Sequence, residues 1–330
     1  MKNFSYKDIS KLAGVSISTV SRYYNNGYIS KNTKVKIEAI VKEHGYFPNH
    51  GARLIRGRDS SIFVIVPEWY RQEYSYIIQG IEQGAIKGNY KVIITHSPND
   101  SASYIETIKY VSSWKPGAIV FFLPDDDDNK ITNYITSTSF HSNILVYGKE
   151  VEGIHWIKID EEAAFNSLTH KFIQYIENPL KEKIIFAEDE KLTAHEKEFR
   201  KNGFKAACEK QNIQYEIWPI KTNDYNNVQD FLSKLNVKNH VNVVSSTHSV
   251  FSSLISSNDK NLLLTDIGWV TTYDYQRRYK AKIFIDYVEI GIRIDKLLFG
   301  SPTPQSNNVV VRGTGEVFKP QIIYQDNKDK

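Results

Sequence analysis

Residues 5–25 read SYKDISKLAGVSISTVSRYYN, and within this stretch Ile17, Ser18 and Arg22 are the groups best placed for chemistry. Ile9 and Leu12 are followed by Ala13-Gly14-Val15-Ser16, after which a second short helical pattern opens. Gly14 supplies the positive φ of a tight turn between helices. Ser16 suits the N-cap of the second helix, and Ser5 with Asp8 forms a capping box for the first. Val15 and Val20 bury between the helices, leaving Ile17, Ser18, Ser21 and Arg22 to point elsewhere. This layout is a helix-turn-helix, whose second helix enters the DNA major groove by its N-terminus. Arg22 then suits a bidentate contact with guanine, Ile17 a thymine methyl, and Ser18 a base edge. Tyr6, Asn25, Lys31 and Thr33 are expected beside phosphates, with Ser16, Thr19 and Ser21 completing the contacting set.

A second group of candidates lies just past apolar runs that read as strands. Trp69, Tyr70, Arg71 and Tyr74 follow the first run, Lys149 follows the fourth, and His248, Asp266 and Trp269 follow later ones. Aromatic faces stack on sugar CH groups, while paired polar groups bond hydroxyls. Catalytic patterns are missing. His195-Glu196 has no second histidine to make a zinc-protease motif, and Gly313-Thr314-Gly315 lacks a third glycine and comes too late to open a dinucleotide-binding unit. No catalytic residue, metal site or cofactor is therefore expected. Asp125–Asp128 reads as a solvated loop, or alternatively as carboxylates for a sugar hydroxyl, since further metal ligands are lacking.

The elements that must position these residues alternate. Helices are expected near 6–13, 17–25 and 31–44, the last carrying Val35, Ala39, Ile40 and Val41 at helical spacing. From residue 60 onward, strands are expected at 62–66, 91–95, 117–122, 143–147, 183–187, 214–218, 241–245 and 261–265. Helices near 74–87, 101–113, 161–176, 193–211 and 224–235 separate them. Late strands at 281–286 and 308–311 flank a helix near 287–299. Apolar strands alternating with helices predict parallel sheets covered on both faces. The polar tail from Gln321 to Lys330 has no heptad, so no tetramerising coiled coil is expected.

At 330 residues the chain suits a small head and one or two α/β units. Its 41% hydrophobic content is ample for a core, yet no run reaches the ~18–20 apolar residues needed to span a bilayer. MKNFSYKD has no apolar h-region, and Cys208 is the single cysteine, which points to a reducing cytoplasm and a buried thiol. The net charge of +4 is unevenly placed. Residues 1–60 hold seven Lys and four Arg against four acidic residues, whereas the remainder carries 31 basic and 34 acidic. A basic head on a mildly acidic body is the electrostatic footprint of DNA binding.

Three motifs together identify a resemblance to the lactose/galactose-repressor (LacI/GalR) family: DISKLAGVS with TVSR at 8–22, Ser30-x-x-Thr33, and GYFPN at 45–49. With the segment that follows, they cover residues 5–57. The resemblance implies a helix-turn-helix head over 1–47, a hinge helix over 48–59 and an effector-binding, dimerising body over 60–330. The body would be two periplasmic-binding-protein-like lobes, one of about 60–158 and 286–312, the other of about 159–283 and 313–330. Crossovers are expected near 157–161, 282–286 and 311–318. In the family the hinge lies in the minor groove, which gives Asn49, His50, Ala52, Arg53 and Arg56 a DNA role. The wedge position falls on Ile55, where leucine is usual; apolar wedges kink DNA by unstacking bases.

Within the body, Arg200-x-x-Gly203-Phe204 matches a family motif whose arginine grips the effector. Asp266 matches an effector-binding aspartate, and Tyr74 and Tyr287 fall at pocket-lining positions. The fourth strand ends in Gly148-Lys149 where Asp-Arg is usual, and Thr247-His248 replaces Asn-Asp. Spacing from Asn143 through Ala163 is most similar to the trehalose-repressor branch, where a basic residue at the Lys149 position helps hold a sugar phosphate. The resemblance thus implies a cytoplasmic homodimeric repressor that reads an inverted-repeat operator under control of a sugar or sugar phosphate. Control by a protein partner or purine-like corepressor, or a ligand-free dimerising scaffold, are the alternatives.

Overall fold

The structure, a computed structural model, describes residues 5–24, 27–44, 59–68, 71–124, 129–235, 240–257, 259–276, 278–300 and 313–324. Asn25, Asn49, His50, Ala52, Arg53, Ile55, Arg56, Trp69, Tyr70, Asp125–Asp128 and the strand expected at 308–311 lie outside the described residues. The chain divides into two units, Met1–Asp59 and Ser60–Lys330.

The first unit holds α1 (Tyr6–Ala13), α2 (Ile17–Tyr24) and α3 (Lys31–His44). Ser5 and Asp8 form the capping box, and Asp8 Oδ2 accepts from the Ser5 amide at 2.9 Å. Gly14 ends α1 at φ 64°, ψ 35°, in the left-handed region that glycine enters without steric cost. Ser16 caps α2, its Oγ accepting from the Thr19 amide at 3.1 Å. Ile9, Ala13, Val20 and Ile37 are buried together and Val15 packs beside them. Two expected packing positions differ: Leu12 and Val35 are exposed. The inward stripe of α3 runs through Ile37, Ile40 and Val41, and Val35 and Ala39 fall on its other side.

The second unit alternates strand and helix. Its first lobe begins with β1 (Asp59–Pro67), α4 (Gln72–Lys87), β2 (Lys91–Ser97), α5 (Ser101–Ser113) and β3 (Pro116–Phe122). It continues through α6 (Lys130–Ser137), β4 (Asn143–Tyr147) and β5 (His155–Ile159). The second lobe follows with α7 (Glu161–Ile173), β6 (Ile184–Asp189), α8 (Ala194–Lys210), β7 (Tyr215–Ile220) and α9 (Tyr225–Lys234). After these come β8 (Val241–Ser245), α10 (His248–Ile255), β9 (Leu262–Gly268), α11 (Thr272–Gln276) and β10 (Ala281–Phe284). The chain then returns through α12 (Tyr287–Phe299), β11 (Gly315–Phe318) and β12 (Gln321–Tyr324).

Two six-stranded sheets result, ordered β11-β5-β4-β3-β1-β2 and β12-β10-β9-β8-β6-β7. The recorded pairs are parallel except β10 with β12, which is antiparallel. The segment assigned to a crossover at 311–318 differs from expectation. Its last four residues are β11, in the first sheet beside β5, so the assignment of 313–318 to the second lobe is corrected. The 157–161 crossover likewise starts later, because β5 runs to Ile159. The tail's first four residues are β12. Short strands with one buried side chain, such as Phe318 in β11, carry no apolar run to announce them.

Backbone proximity fixes how the returning chain docks. A Cβ on Gly80 of α4 would lie 2.0 Å from Val288 O, and one on Gly291 of α12 would lie 2.0 Å from Ile77 O. Those two helices therefore pack with no side chain between them at this point. The same device joins α7 and α8, where a Cβ on Gly203 would meet Glu162 O at 2.1 Å. Among the described residues no helix is long and apolar enough to cross a membrane.

Candidate functional site

In the first unit, Ile17, Ser18 and Arg22 are exposed on α2. Ser18 Oγ lies 2.7 Å from Ser16 Oγ, which also meets Thr19 Oγ1 at 2.8 Å, so the turn hydroxyls form one network at the helix N-terminus. The chain passes close to the start of the Arg22 side chain: a Cβ on Gly27 would sit 3.1 Å from Arg22 Cβ, and the Gly27 amide donates to the Arg22 backbone carbonyl at 2.8 Å. Tyr6 stacks on Tyr24 with centroids 5.1 Å apart, so its ring is part of the packing. Lys31 is exposed, and Thr33 bonds Ser30 Oγ at 2.8 Å in the cap of α3. Ser21 is half-buried. This face offers hydroxyls and a guanidinium that can hydrogen-bond base edges, and an aliphatic side chain that can meet a thymine methyl.

In the second unit a cleft of about 1160 Å³ opens at the carboxyl ends of both sheets' strands, the position where open α/β sheets bind ligands. Arg71, Tyr74, Lys149, Arg200 and Tyr287 all line it. Arg71 enters after β1, Lys149 after β4 beyond Gly148, and Arg200 from the second turn of α8. Gly203, one turn further along α8, brings that helix against α7 and so presses Arg200 onto Glu161. Arg200 donates from Nη2 to Glu161 Oε1 at 2.6 Å, from Nε to Glu161 Oε2 at 3.2 Å and from Nη1 to Ser246 O at 2.8 Å.

Glu196, four residues before Arg200, is the hub. Its Oε2 accepts from the Thr193 amide at 3.1 Å in a capping box, and its Oε1 accepts from Arg200 Nη2 at 3.2 Å. From the other lobe, Arg71 donates to both oxygens, with Nη2 to Oε2 at 2.6 Å. An ion pair thus crosses the cleft. Burial works to raise the Glu196 pKa, but the Arg71 hydrogen bonds and the charges of Arg200 and Arg71 prevail and bring it from 4.5 to about 2. Burial also works to lower that of Arg200, and the charges of Glu161 and then Glu196 more than offset it. Glu73, 3.9 Å from Arg71, goes the other way: burial raises its carboxyl above the ordinary value, only partly opposed by a backbone hydrogen bond and the two arginines.

The apolar wall is aromatic. Tyr74 packs on Phe122 at 4.6 Å and on Tyr147 at 6.0 Å between centroids. Burial raises the Tyr147 and Tyr287 phenols well above their usual value, so both are neutral donors at the cleft. Lys149 Nζ donates to Asn129 Oδ1 at 2.7 Å.

Asp266, His248 and Trp269 are placed differently. None is among the residues lining this cleft. Asp266 is fully buried, 2.8 Å from His248 Nδ1 and 3.1 Å from the Nζ of fully buried Lys282. Lys282 also donates to Trp269 O at 2.8 Å and Asp274 Oδ2 at 2.8 Å, so Asp266 belongs to an internal ion network. Ser252 Oγ lies 3.1 Å from His248 Nε2, which completes a serine–histidine–aspartate chain. Ser252 lies mid-helix in α10, and Lys282 competes with the histidine for the acid, so the chain reads as structural. Trp269 stacks on Phe284 and meets Tyr76 of α4 at 5.8 Å. Glu73, Tyr147, Glu161 and Glu196 are cleft residues that sequence reasoning did not single out. The signal was present for two of them: Glu196 stands one helical turn before Arg200, and Glu161 opens the helix after β5.

Residues 5–49 match the family of bacterial regulatory proteins, lacI family. The chain is 26% identical to the sucrose operon repressor of Staphylococcus xylosus over 263 residues, 79% of either chain. It is 30% identical to catabolite control protein A of the same organism over 169 residues, 51% of either chain. Among solved structures, the lac repressor bound to ONPG in the repressed state is similar with a TM-score of 0.75 at 17% identity, covering 98% of both chains, which shows the fold.

Proposed function

The chain belongs to the lacI family of bacterial regulatory proteins, and from that premise we propose a cytoplasmic, DNA-binding transcriptional repressor whose operator affinity answers to a sugar-class effector in the cleft. The observation that carries the DNA half is the exposed face of α2, with Ile17, Ser18 and Arg22 together on a head of surplus positive charge. A relative named for the sucrose operon supports a sugar as effector, as does a cleft that sets tyrosine rings beside carboxylates and guanidinia. The repressor acts as a homodimer on an inverted repeat. Exposed Ile93 and Ile94 lie on opposite sides of β2, the edge strand of the first sheet, and leave apolar side chains at that edge for a second copy to cover.

Effector hydroxyls compete with Arg71 for Glu196, which shifts closure of the lobes and so the operator-binding state. Coupling of about 1–3 kcal/mol is typical of such switches. The test is Arg22→Ala, assayed on the site selected from random-sequence DNA and on unselected DNA. Affinity for the selected site should fall by ~1–3 kcal/mol, with little change on unselected DNA. Equal losses on both would make Arg22 a phosphate contact.

A further inference from the structure

We infer that the cleft selects an uncharged, hydroxyl-rich ligand and rejects a phosphorylated one, with Glu73 and Glu196 as the residues that impose the choice. This rests on the sugar-effector reading above and narrows it.

Among the described residues lining the cleft, six are carboxylates and four are Lys or Arg. The four cations are already engaged. Arg71 is bonded to Glu196, and Arg200 to Glu161, Glu196 and Ser246 O. Lys158 pairs with Glu150 at 3.0 Å, and Lys149 donates to Asn129. A phosphate entering beside Arg71 or Arg200 must displace Glu196 or Glu161 from its guanidinium. Beside Arg71 it also meets Glu73, which lies 3.9 Å from that arginine and whose charge burial already disfavours. Like charges brought together in a desolvated site cost several kcal/mol.

Helix N-termini are the usual alternative for holding an anion. Four reach this cleft, and each carries an acid of its own chain. Glu73 stands in the first turn of α4, whose N-cap Arg71 makes no side-chain cap bond, and Asp286 caps α12. Asp160 caps α7, accepting from the Ala163 amide at 3.2 Å, and Glu161 and Glu162 fill its first turn. Thr193 and Glu196 cap α8. Hydroxyl groups meet the opposite situation. They donate to the Glu73, Glu161 and Glu196 oxygens, accept from the arginine N–H groups, and leave ring CH faces for Tyr74 and Tyr147.

Calorimetric titration of the full chain with matched pairs tests this: sucrose and sucrose 6-phosphate, trehalose and trehalose 6-phosphate, maltose and maltose 6-phosphate. In any pair that binds, the neutral member should bind at least about tenfold more tightly, a factor equal to ~1.4 kcal/mol. Glu73→Gln, which keeps size and removes charge, should narrow that ratio several-fold by helping the phosphorylated member. A phosphorylated sugar that binds as tightly as its neutral partner, or tighter, overturns the inference while leaving the sugar-effector reading intact. A ratio unmoved in the Glu73→Gln variant overturns the role of Glu73. If no neutral or phosphorylated sugar binds, the sugar-effector reading itself fails, and this inference with it.

Discussion

Arg71→Ala removes the guanidinium that bridges the cleft while leaving Glu196 bonded to Thr193 and Arg200; it also takes a cation from Glu73, so the cross-lobe contact is isolated by pairing it with Glu196→Gln. The lowering of the Glu196 carboxyl from 4.5 to about 2 corresponds to roughly 3 kcal/mol in favour of the ionised form. Arg71, Arg200 and the Thr193 amide share that sum. The Arg71 side chain is 27% exposed and that of Glu196 17%, so solvent screens the pair in part. A bidentate charge-assisted contact in that setting should couple at about 1–2 kcal/mol.

The assay is a double-mutant cycle of Arg71→Ala, Glu196→Gln and the double variant, each unfolded by urea and followed by tryptophan fluorescence. All five tryptophans (Trp69, Trp114, Trp156, Trp218 and Trp269) lie beyond residue 60, so the signal reports the second unit without the head. The pH dependence has a definite sign. A depressed carboxyl contributes stability that is complete above its unfolded value near 4.5 and is lost as pH falls through its folded value near 2. Glu73 has a raised carboxyl, so its contribution is complete below the unfolded value and lost as pH rises through the folded one. At pH 7, Glu73→Gln should therefore be neutral or stabilising and Glu196→Gln destabilising. A coupling energy below about 0.5 kcal/mol at pH 7, the usual tolerance for independent sites, would refute a stabilising Arg71–Glu196 contact across the cleft. So would one unchanged at pH 2.

Two further substitutions probe the scaffold. Gly80→Ala places a methyl 2.0 Å from Val288 O between α4 and α12, so it should destabilise the second unit by about 1–3 kcal/mol in the same urea assay; a neutral result would mean those helices are not packed backbone to backbone. Lys282→Met strands buried Asp266 and partly buried Asp274 without their common cation and should cost ~3–5 kcal/mol, with recovery when Asp266→Asn and Asp274→Asn are added; no loss would remove the ion network from the account of the core.

Legibility in the sequence followed burial. β3 is buried at every position, and its run of apolar side chains can be read from composition alone. β11 and β12 have few inward side chains, and their identity depends on the β5 and β10 edges they join. The third helix of the head shows a subtler loss. Val35, Ala39, Ile40 and Val41 carry helical spacing, but two apolar stripes fit that run, and tertiary packing on Ile9 and Val20 chose the one through Ile37.

The cleft was legible where the residues are bulky or cationic and follow a strand. Arg71, Tyr74 and Lys149 meet that description, and Arg200 and Tyr287 came from motif resemblance. The acids were hidden because an acid near the start of a helix has an ordinary reading as a cap or dipole partner, which Glu161 and Glu196 also satisfy. Asp266 was misleading in the opposite sense. Its strand-end position suggests a ligand contact, yet Lys282, concealed in the apolar run Ala281–Phe284, draws it inward.

Glu196 joins these two observations. Its oxygens are fixed by Thr193 and Arg200 on its own side of the cleft, so the carboxylate keeps its place whether or not Arg71 is bonded to it. An incoming hydroxyl can therefore replace Arg71 without the acceptor having to reorganise, and the free energy exchanged falls on the lobe that carries Arg71. A carboxylate held only by Arg71 would follow the arginine on opening, and ligand binding would have no differential contact with which to bias the two states. The capping box that made Glu196 inconspicuous in the sequence is thus what suits it to act as the fixed half of a switch.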